Sequence, residues 1–180
     1  MPAVALTGTP GTGKSAVAHA LPASFVTVEV ADLARRHGAA RGRGRAVVVD
    51  MPKLARALRR PGALDGTDLV VGHLAHLLPV AGAIVLRCRP VELVGRLRRA
   101  RRGSPGDRQA NFVCEATDVV LLEALAADRT VVEIDTTGSS VRQVARRVAR
   151  QLRSGLTPAV GAVDWLADPA VTRQLLRPPR

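Results

Sequence analysis

Aromatic side chains are nearly absent from this sequence. It has no tyrosine, two phenylalanines and one tryptophan in 180 residues, although 47% of its residues are hydrophobic. A core must therefore be built from Val, Leu and Ala, which suit parallel strands that are buried on both faces. The length is typical of one domain with a real hydrophobic core.

Cysteines and long apolar runs are also scarce. Cys88 and Cys114 are the two cysteines, and their spacing does not match a metal site. No apolar run approaches the ~20 residues of a membrane span. No charged segment followed by an apolar one precedes the first glycines, as a signal peptide would require. We therefore expect reduced thiols, no membrane association and a cytoplasmic protein.

Lysine is rare although the chain is strongly basic. Of the 27 basic residues only Lys14 and Lys53 are lysines, and the formal net charge is +12. Such a charge predicts affinity for RNA or other polyanions. A general bias toward arginine codons, which the many alanines and glycines also suggest, explains it equally well. Both interpretations stay open.

The glycines cluster in one motif near the start of the chain. Residues 8–15 read Gly-Thr-Pro-Gly-Thr-Gly-Lys-Ser, a complete match to the P-loop pattern GxxxxGK[ST]. An apolar run at residues 3–6 precedes the motif, and a helical pattern at residues 16–21 follows it. In this context the backbone N–H groups surround a polyphosphate, Lys14 reaches its β- and γ-phosphates, and the Ser15 hydroxyl ligates Mg²⁺. The motif predicts a site for ATP and Mg²⁺.

Strands alternate with helices along the rest of the chain. Strands are predicted at residues 3–6, 25–30, 68–73, 84–87 and 131–135. Helices are predicted from 52 to 58, from 90 into the arginine-rich stretch at 96–102, as one long helix over 109–127, over 140–153, and as a short helix from 168. Residues 39–46 are predicted as a glycine–arginine loop, and residues 155–163 as a linker. The alternation predicts an α/β fold with a parallel sheet of about five strands and helices on both faces.

The helix predicted at 140–153 is strongly amphipathic. Ser140 and Gln143 form a capping box at its start. One face is apolar, with Val141, Val144, Ala145, Val148 and Leu152 expected to point inward. The other face carries arginines 142, 146, 147, 150 and 153, which are expected to point outward.

Further short motifs give the chain a family resemblance. They are Gly72-His73-Leu74, Val85-Leu86-Arg87, Arg102-Gly103, Asn111 with Glu115, the run from Glu133 to Thr137, and Val163-Asp164-Trp165. Together with the P-loop they resemble the archaeal and eukaryotic adenylate-kinase-like family of the isoenzyme six type. The resemblance covers about residues 3–153. It implies a P-loop NTPase fold of the nucleoside monophosphate kinase type in residues 1–153, followed by a C-terminal tail at 154–180.

The resemblance also implies roles for particular residues. The ATP phosphates would be held by Gly11, Thr12, Gly13, Lys14, Ser15 and Ala16, with Ser15 as the metal ligand. Residues 28–50 would bind the acceptor nucleotide, and residues 98–108 would form a lid whose Arg102 contacts phosphate, with Arg98, Arg99 and Arg101 as open alternatives. His73 matches the histidine of the family's acidic-x-His motif. The catalytic residues would be Lys14, His73 and Arg102.

The chain departs from the family pattern in two places. The acidic residue that is expected two positions before His73 is replaced by Val71. Asp68 is not an obvious substitute, because three strand residues span ~10 Å and ligands bind at the carboxyl ends of the strands. Asp135 and Asp50 remain open as substitutes. The lid also contains extra residues and arginines.

Three functions follow as alternatives. The resemblance implies a broad-specificity nucleoside monophosphate kinase, with AMP as acceptor, that also hydrolyses ATP. It further implies a role in maturation of the small ribosomal subunit, with a ribosomal protein of the platform and rRNA as partners. The alternatives are a ribosome-assembly ATPase with little kinase activity, and a P-loop kinase for another small molecule such as shikimate or a nucleoside.

Overall fold

The computed structural model describes residues 2–42 and 47–177. Its strands are β1 (Val4–Thr7), β2 (Thr27–Glu29), β3 (Ala40–Arg41), β4 (Val48–Val49), β5 (Leu69–Val71), β6 (Gly82–Arg87) and β7 (Thr130–Asp135). Its helices are α1 (Lys14–His19), α2 (Val30–Arg36), α3 (Met51–Leu58), α4 (Pro90–Arg99), α5 (Pro105–Ala116), α6 (Val119–Leu125), α7 (Val141–Ser154) and α8 (Pro169–Leu175), with a 3₁₀ turn at Ala75–Leu77.

Five strands form one parallel sheet in the order β2-β5-β1-β6-β7. The expected α/β fold with a five-stranded parallel sheet is confirmed. The order reverses at β1, which has β5 on one side and β6 on the other, so the glycine loop that follows β1 lies at the switch point. All five strands run in the same direction, and their carboxyl ends therefore meet at one edge of the sheet.

The sheet is buried on both faces by small aliphatic side chains, as the composition predicts. One face packs on α2, α3 and α6 through residues such as Leu33, Leu54 and Leu121. The other packs on α1 and α7 through residues such as Val17 and Val148. A third cluster, around Phe112, Trp165 and Val171, joins α5 to the C-terminal segment.

The prediction of one continuous helix over 109–127 is wrong. The structure has two helices there, α5 and α6, separated at Thr117 and Asp118. Asp118 has a φ of 58° and its carboxylate forms an ion pair with the buried Arg87. A left-handed residue interrupts a right-handed helix, and periodicity alone does not reveal it.

The predicted glycine–arginine loop at 39–46 is only partly within the described residues, since 43–46 lie outside them. Its flanks, β3 and β4, pair antiparallel, with Ala40 opposite Val49. These two short strands lie outside the main sheet, between α2 and α3. In the predicted tail, residues 178–180 also lie outside the described part of the chain.

The segment predicted as a linker at 155–163 is packed against the sheet. Ala159 makes a parallel bridge with Val132, and the backbone N–H groups of Gly161 and Ala162 donate to Glu133 Oε2, at 3.0 and 3.2 Å. The final short helix is confirmed as α8, capped by Asp168.

The capping box that opens α7 is confirmed, since Ser140 and Gln143 exchange hydrogen bonds. Two orientations on this helix differ from the prediction. Val141, the first residue of the helix, is exposed. Arg147 is half-buried and donates to the backbone oxygen of Asp135 at 2.8 Å. No helix in the described ranges has the length and hydrophobicity needed to cross a bilayer.

Candidate active site

The P-loop connects the carboxyl end of β1 to the start of α1, as predicted. Gly8, Gly11 and Gly13 all have positive φ, at 136°, 102° and 98°. A Cβ on Gly8 would lie 2.3 Å from the backbone oxygen of Leu86, so no side chain fits there. Gly13 occupies the position just before α1. The loop therefore has the curvature that directs backbone N–H groups toward one point.

Lys14 folds back over this loop. Its ammonium donates to the backbone oxygens of Gly8 and Thr9 at 2.6 and 3.0 Å, and the side chain is half-buried. Burial lowers the pKa of Lys14 to about 8, although Glu115 and Glu29 oppose the shift. Lys14 is therefore partly shielded from solvent, and the dipoles of the two carbonyl groups stabilise its charge.

A cavity of about 520 Å³ lies in front of the loop. Its walls include Gly11, Gly13, Lys14, Ser15 and Ala16 from the P-loop, Glu29 and His73 from neighbouring strand ends, and Arg96, Arg102 and Asn111 from α4, α5 and their connection. The structure therefore brings three sequence-distant segments to the P-loop. Thr12 differs from the other predicted ATP contacts, because its side chain is buried behind the loop and donates to the Thr9 backbone oxygen at 3.0 Å.

The predicted lid is a short turn between two helices. Residues 100–104 connect α4 to α5, and Ser104 caps α5 in a second capping box with Asp107. Arg102 lies on this turn, is exposed, and lines the same cavity as the P-loop. Arg96 also reaches the cavity, but its guanidinium bonds Glu92 and Thr136, so Arg102 is the freer of these two cations.

The two neighbouring histidines have different environments. His73 follows β5 and lines the cavity, where burial and the charge of Lys14 lower its pKa. The imidazole is therefore neutral at pH 7. His76 is fully buried, with Nδ1 at 2.8 Å from Thr7 Oγ1 and Nε2 at 3.0 Å from Glu123 Oε2. His76 has a structural position, and the residues described contain no cluster of three metal-ligating side chains.

A buried polar network lies behind the P-loop, and sequence reasoning missed it. Thr9 Oγ1 donates to Glu115 Oε2 at 2.5 Å. Glu115 Oε1 accepts from Arg87 Nε at 2.9 Å and from the indole N–H of Trp165 at 3.2 Å. Arg87 also bonds Glu133 at 2.5 Å, and Arg87 and Glu115 are each 2% exposed. The C-terminal tail is thereby connected to the phosphate loop through one buried carboxylate. The available signal was an arginine inside a strand predicted to be buried.

Val71 does not enter the site. It is 1% exposed and belongs to the core between the sheet, α1 and α7. Asp68 is at the opposite end of β5, where it accepts from the Val26 N–H at 2.8 Å, which agrees with its exclusion. Asp50 caps α3 and Asp135 bonds Thr137, so neither carboxylate is aimed into the cavity.

Comparison with known proteins shows the family to which the chain is similar. Residues 4–118 match the family described as "AAA domain". A protein of Pyrococcus furiosus named "Putative adenylate kinase" is 36% identical over 166 residues, covering 90% of each chain. Proteins of the same name from Archaeoglobus fulgidus and Natronomonas pharaonis are 39% and 38% identical, over 92% and 90% of this chain and 92% and 96% of theirs.

Solved structures with the same fold have much lower identity. A gluconokinase from Sinorhizobium meliloti 1021 superposes with a TM-score of 0.52 at 16% identity, covering 84% of this chain and 91% of that one. A sugar kinase from Janibacter sp. HTCC2649 gives 0.53 at 18%, covering 88% and 98%. At such identities the likeness concerns the fold alone.

Proposed function

We propose that this chain transfers the γ-phosphoryl group of MgATP to a nucleoside monophosphate, with AMP as the first acceptor. The chain belongs to the AAA domain family and to the same family as the archaeal relatives above. The proposal is carried by one observation. A single cavity is lined both by Pro10, Gly11 and residues 13–16 of the P-loop segment and by Arg102 of the α4–α5 turn. Phosphoryl transfer needs this arrangement, because catalysis is mostly positioning and neutralisation of charge.

Each lining residue has a role in this proposal. Lys14 exchanges its two backbone acceptors, Gly8 and Thr9, for the oxygens of the β- and γ-phosphates. Arg102 supplies a second positive charge from the turn. His73, which lines the same cavity, hydrogen-bonds an oxygen of the reacting groups or a water beside them.

Mg²⁺ and the backbone complete the donor site. The Ser15 hydroxyl lies beside Lys14 on the cavity wall and is the hard oxygen donor that Mg²⁺ prefers. Bound Mg²⁺ neutralises charge on the β- and γ-phosphates. Gly11, Gly13 and Ala16 contribute their backbone N–H groups. The segment at 28–50, which begins at the cavity with Glu29, would receive the acceptor.

An acceptor panel tests the proposal. The protein is incubated with MgATP and, separately, with AMP, other nucleoside monophosphates, shikimate, gluconate or nucleosides, and the products are separated by chromatography. We expect two ADP for each ATP consumed when AMP is present, and slower release of inorganic phosphate without it. ATP hydrolysis without ADP formed from AMP would contradict the kinase proposal. Transfer only to a non-nucleotide would assign the chain to the alternative small-molecule kinases.

A second function, ATP-dependent assembly of the small ribosomal subunit with rRNA and a platform ribosomal protein, is favoured by the arginines of α7. Arg142, Arg146 and Arg153 line a groove of about 680 Å³ between α7 and the end of α1. Arg146 and Arg150 line an adjoining concavity with Ser139. Neither surface has an acidic lining residue. Like charges on successive turns of a helix repel by a few tenths of a kcal/mol per pair, and a bound polyanion would remove this repulsion.

The salt dependence of RNA binding tests this second function. Changing Arg142, Arg146 and Arg150 to Gln should reduce the slope of log affinity against log salt by about 2, because each lost phosphate contact on a single strand removes about 0.7. Arg35, Arg36 and Arg56 changed to Gln provide a control with the same loss of charge on other helices. Equal slopes for the native protein and the α7 variant would mean that this face does not contact RNA.

A further inference from the structure

The carboxyl edge of the sheet offers very few carboxylates to the proposed active site. Because the strands are parallel, their last residues lie side by side along this edge. The last residues, in sheet order, are Glu29, Val71, Thr7, Arg87 and Asp135. P-loop enzymes commonly hold Mg²⁺ with the loop hydroxyl and an acidic residue near a strand end. Glu29 and Asp135 are the two acidic residues in these positions.

Asp135 is already engaged and lies away from the cavity. Its carboxylate accepts from the backbone N–H and the hydroxyl of Thr137 at 2.8 and 2.6 Å. Asp107 does line the cavity, but its carboxylate accepts from the Ser104 backbone and hydroxyl, both at 2.8 Å. Neither group is available without breaking a local structure.

Glu29 has no such engagement. It occupies the position before α2, where a side chain usually caps the helix, yet its carboxylate does not cap. It is half-buried on the wall of the cavity that also contains Lys14, Ser15 and His73. Within residues 2–42 and 47–177 its side chain has no hydrogen-bond or ion-pair partner. Its charge is near enough to Lys14 to favour the ammonium against burial.

We infer that Glu29 supplies the carboxylate that holds the Mg²⁺ of MgATP in this chain, together with the Ser15 hydroxyl, directly or through a water of the ion. In the parallel register Glu29 is paired with Val71, so it lies one strand away from the apolar position. Neighbouring strands are about 4.8 Å apart, and a glutamate side chain spans that distance. Mg²⁺ typically takes one or two protein carboxylates and completes its shell with phosphates and water.

The inference rests on the proposed function, and its main test, a binding measurement, needs no acceptor. Binding of the non-hydrolysable analogue adenosine 5′-(β,γ-imido)triphosphate is measured by calorimetry, once in Mg²⁺ and once in EDTA, for the native protein and Glu29→Gln. In Mg²⁺ the variant should bind about tenfold more weakly, the usual scale for loss of a group that orients a metal. In EDTA it should bind equally or more tightly, because a negative charge near the phosphates has been removed.

Asp65→Asn is the matched control. Asp65 is exposed in a turn before β5, at the opposite edge of the sheet, so the same charge change there should leave both affinities unaltered. Thermal unfolding without nucleotide checks that Glu29→Gln remains folded.

The opposite results are distinct. Equal affinity of Glu29→Gln and the native protein in Mg²⁺ would overturn the inference, and so would an equal loss in Mg²⁺ and EDTA. A raised KM for AMP with unchanged Mg²⁺ dependence would move Glu29 to the acceptor side and would also overturn it. If Glu29→Gln weakens nucleotide binding only in Mg²⁺, but the native protein phosphorylates nothing in the acceptor panel, the proposed function is wrong and this inference stands.

Discussion

Lys14→Ala is expected to lower the rate of phosphoryl transfer by about a hundredfold to a thousandfold, the usual cost of removing one charge-stabilising donor from an active site. The ammonium lies at the P-loop, and in the part of the chain that the structure describes it hydrogen-bonds only the backbone oxygens of Gly8 and Thr9, so it can exchange them for phosphate. The effect is measured as the rate at which ADP forms from MgATP and AMP in a coupled assay.

The pH dependence gives this prediction a second readout. The pKa of Lys14 in the empty protein is lowered to about 8 by burial. Bound phosphates favour the ammonium form, so above pH 8 Lys14 must take up a proton when MgATP binds. The affinity for MgATP should therefore fall by up to about tenfold for each pH unit above 8. Calorimetry in buffers of different ionisation enthalpy should detect the proton uptake in the native protein and not in Lys14→Ala.

Two variants control for shape and for general charge. Lys14→Arg keeps the charge but replaces a compact ammonium by a planar fork, and should also be strongly impaired. Arg60→Ala removes a positive charge from an exposed position at the end of α3, and should behave as the native protein. Unchanged turnover in Lys14→Ala would refute the assignment of the site.

Arg87→Gln is expected to lower the free energy of unfolding by about 3–5 kcal/mol, the range for breaking a buried ion pair. Arg87 is 2% exposed and bonds Glu115 and Glu133, whose side chains are 2% and 1% exposed. Without the guanidinium two buried carboxylates lose their positive partner. The loss is a large fraction of the roughly 5–15 kcal/mol that keeps a domain folded.

Arg89→Gln is the matched control, only two residues away. Arg89 pairs with Asp168 at 2.5 Å, as short as the Arg87–Glu133 pair, but its side chain is 42% exposed. Solvent screens such a pair, so its loss should change stability little. Urea denaturation gives the free energy of unfolding of the native protein and of both variants. Equal destabilisation by the two changes would mean that burial does not decide the strength of the Arg87 network.

The part of the fold that the sequence predicted was the part with strong local patterns. The P-loop motif, the valine-rich strands and the capping box of Ser140 and Gln143 each depend on neighbours along the chain, and each is present. The strands predicted at 25–30 and 68–73 are shorter in the structure, at Thr27–Glu29 and Leu69–Val71. The strand at 84–87 was predicted shorter than β6, which also includes Gly82 and Ala83. Small residues there gave no strand signal, although the sheet accommodates them.

Long-range contacts account for what the sequence did not predict. The helix predicted over 109–127 is interrupted at Asp118, which has a positive φ and whose carboxylate pairs with Arg87, a residue distant in sequence. The supposed linker at 155–163 is ordered against β7 by Glu133. The role we infer for Glu29 was missed because its importance depends on the strand beside it, where Val71 stands.

The sequence by itself determined that β1 leads into a P-loop containing Lys14 and Ser15, because that geometry needs only a local order of glycines, one lysine and one hydroxyl. Only the tertiary structure decided which residues face the loop. Sheet order places Glu29 and His73 at the cavity, and the packing of α4 on α5 brings Arg102 there. The same packing directs Glu115 behind the loop instead of into the cavity. A side chain's role depends on distances across the fold, and these follow from strand order and packing rather than from position along the chain.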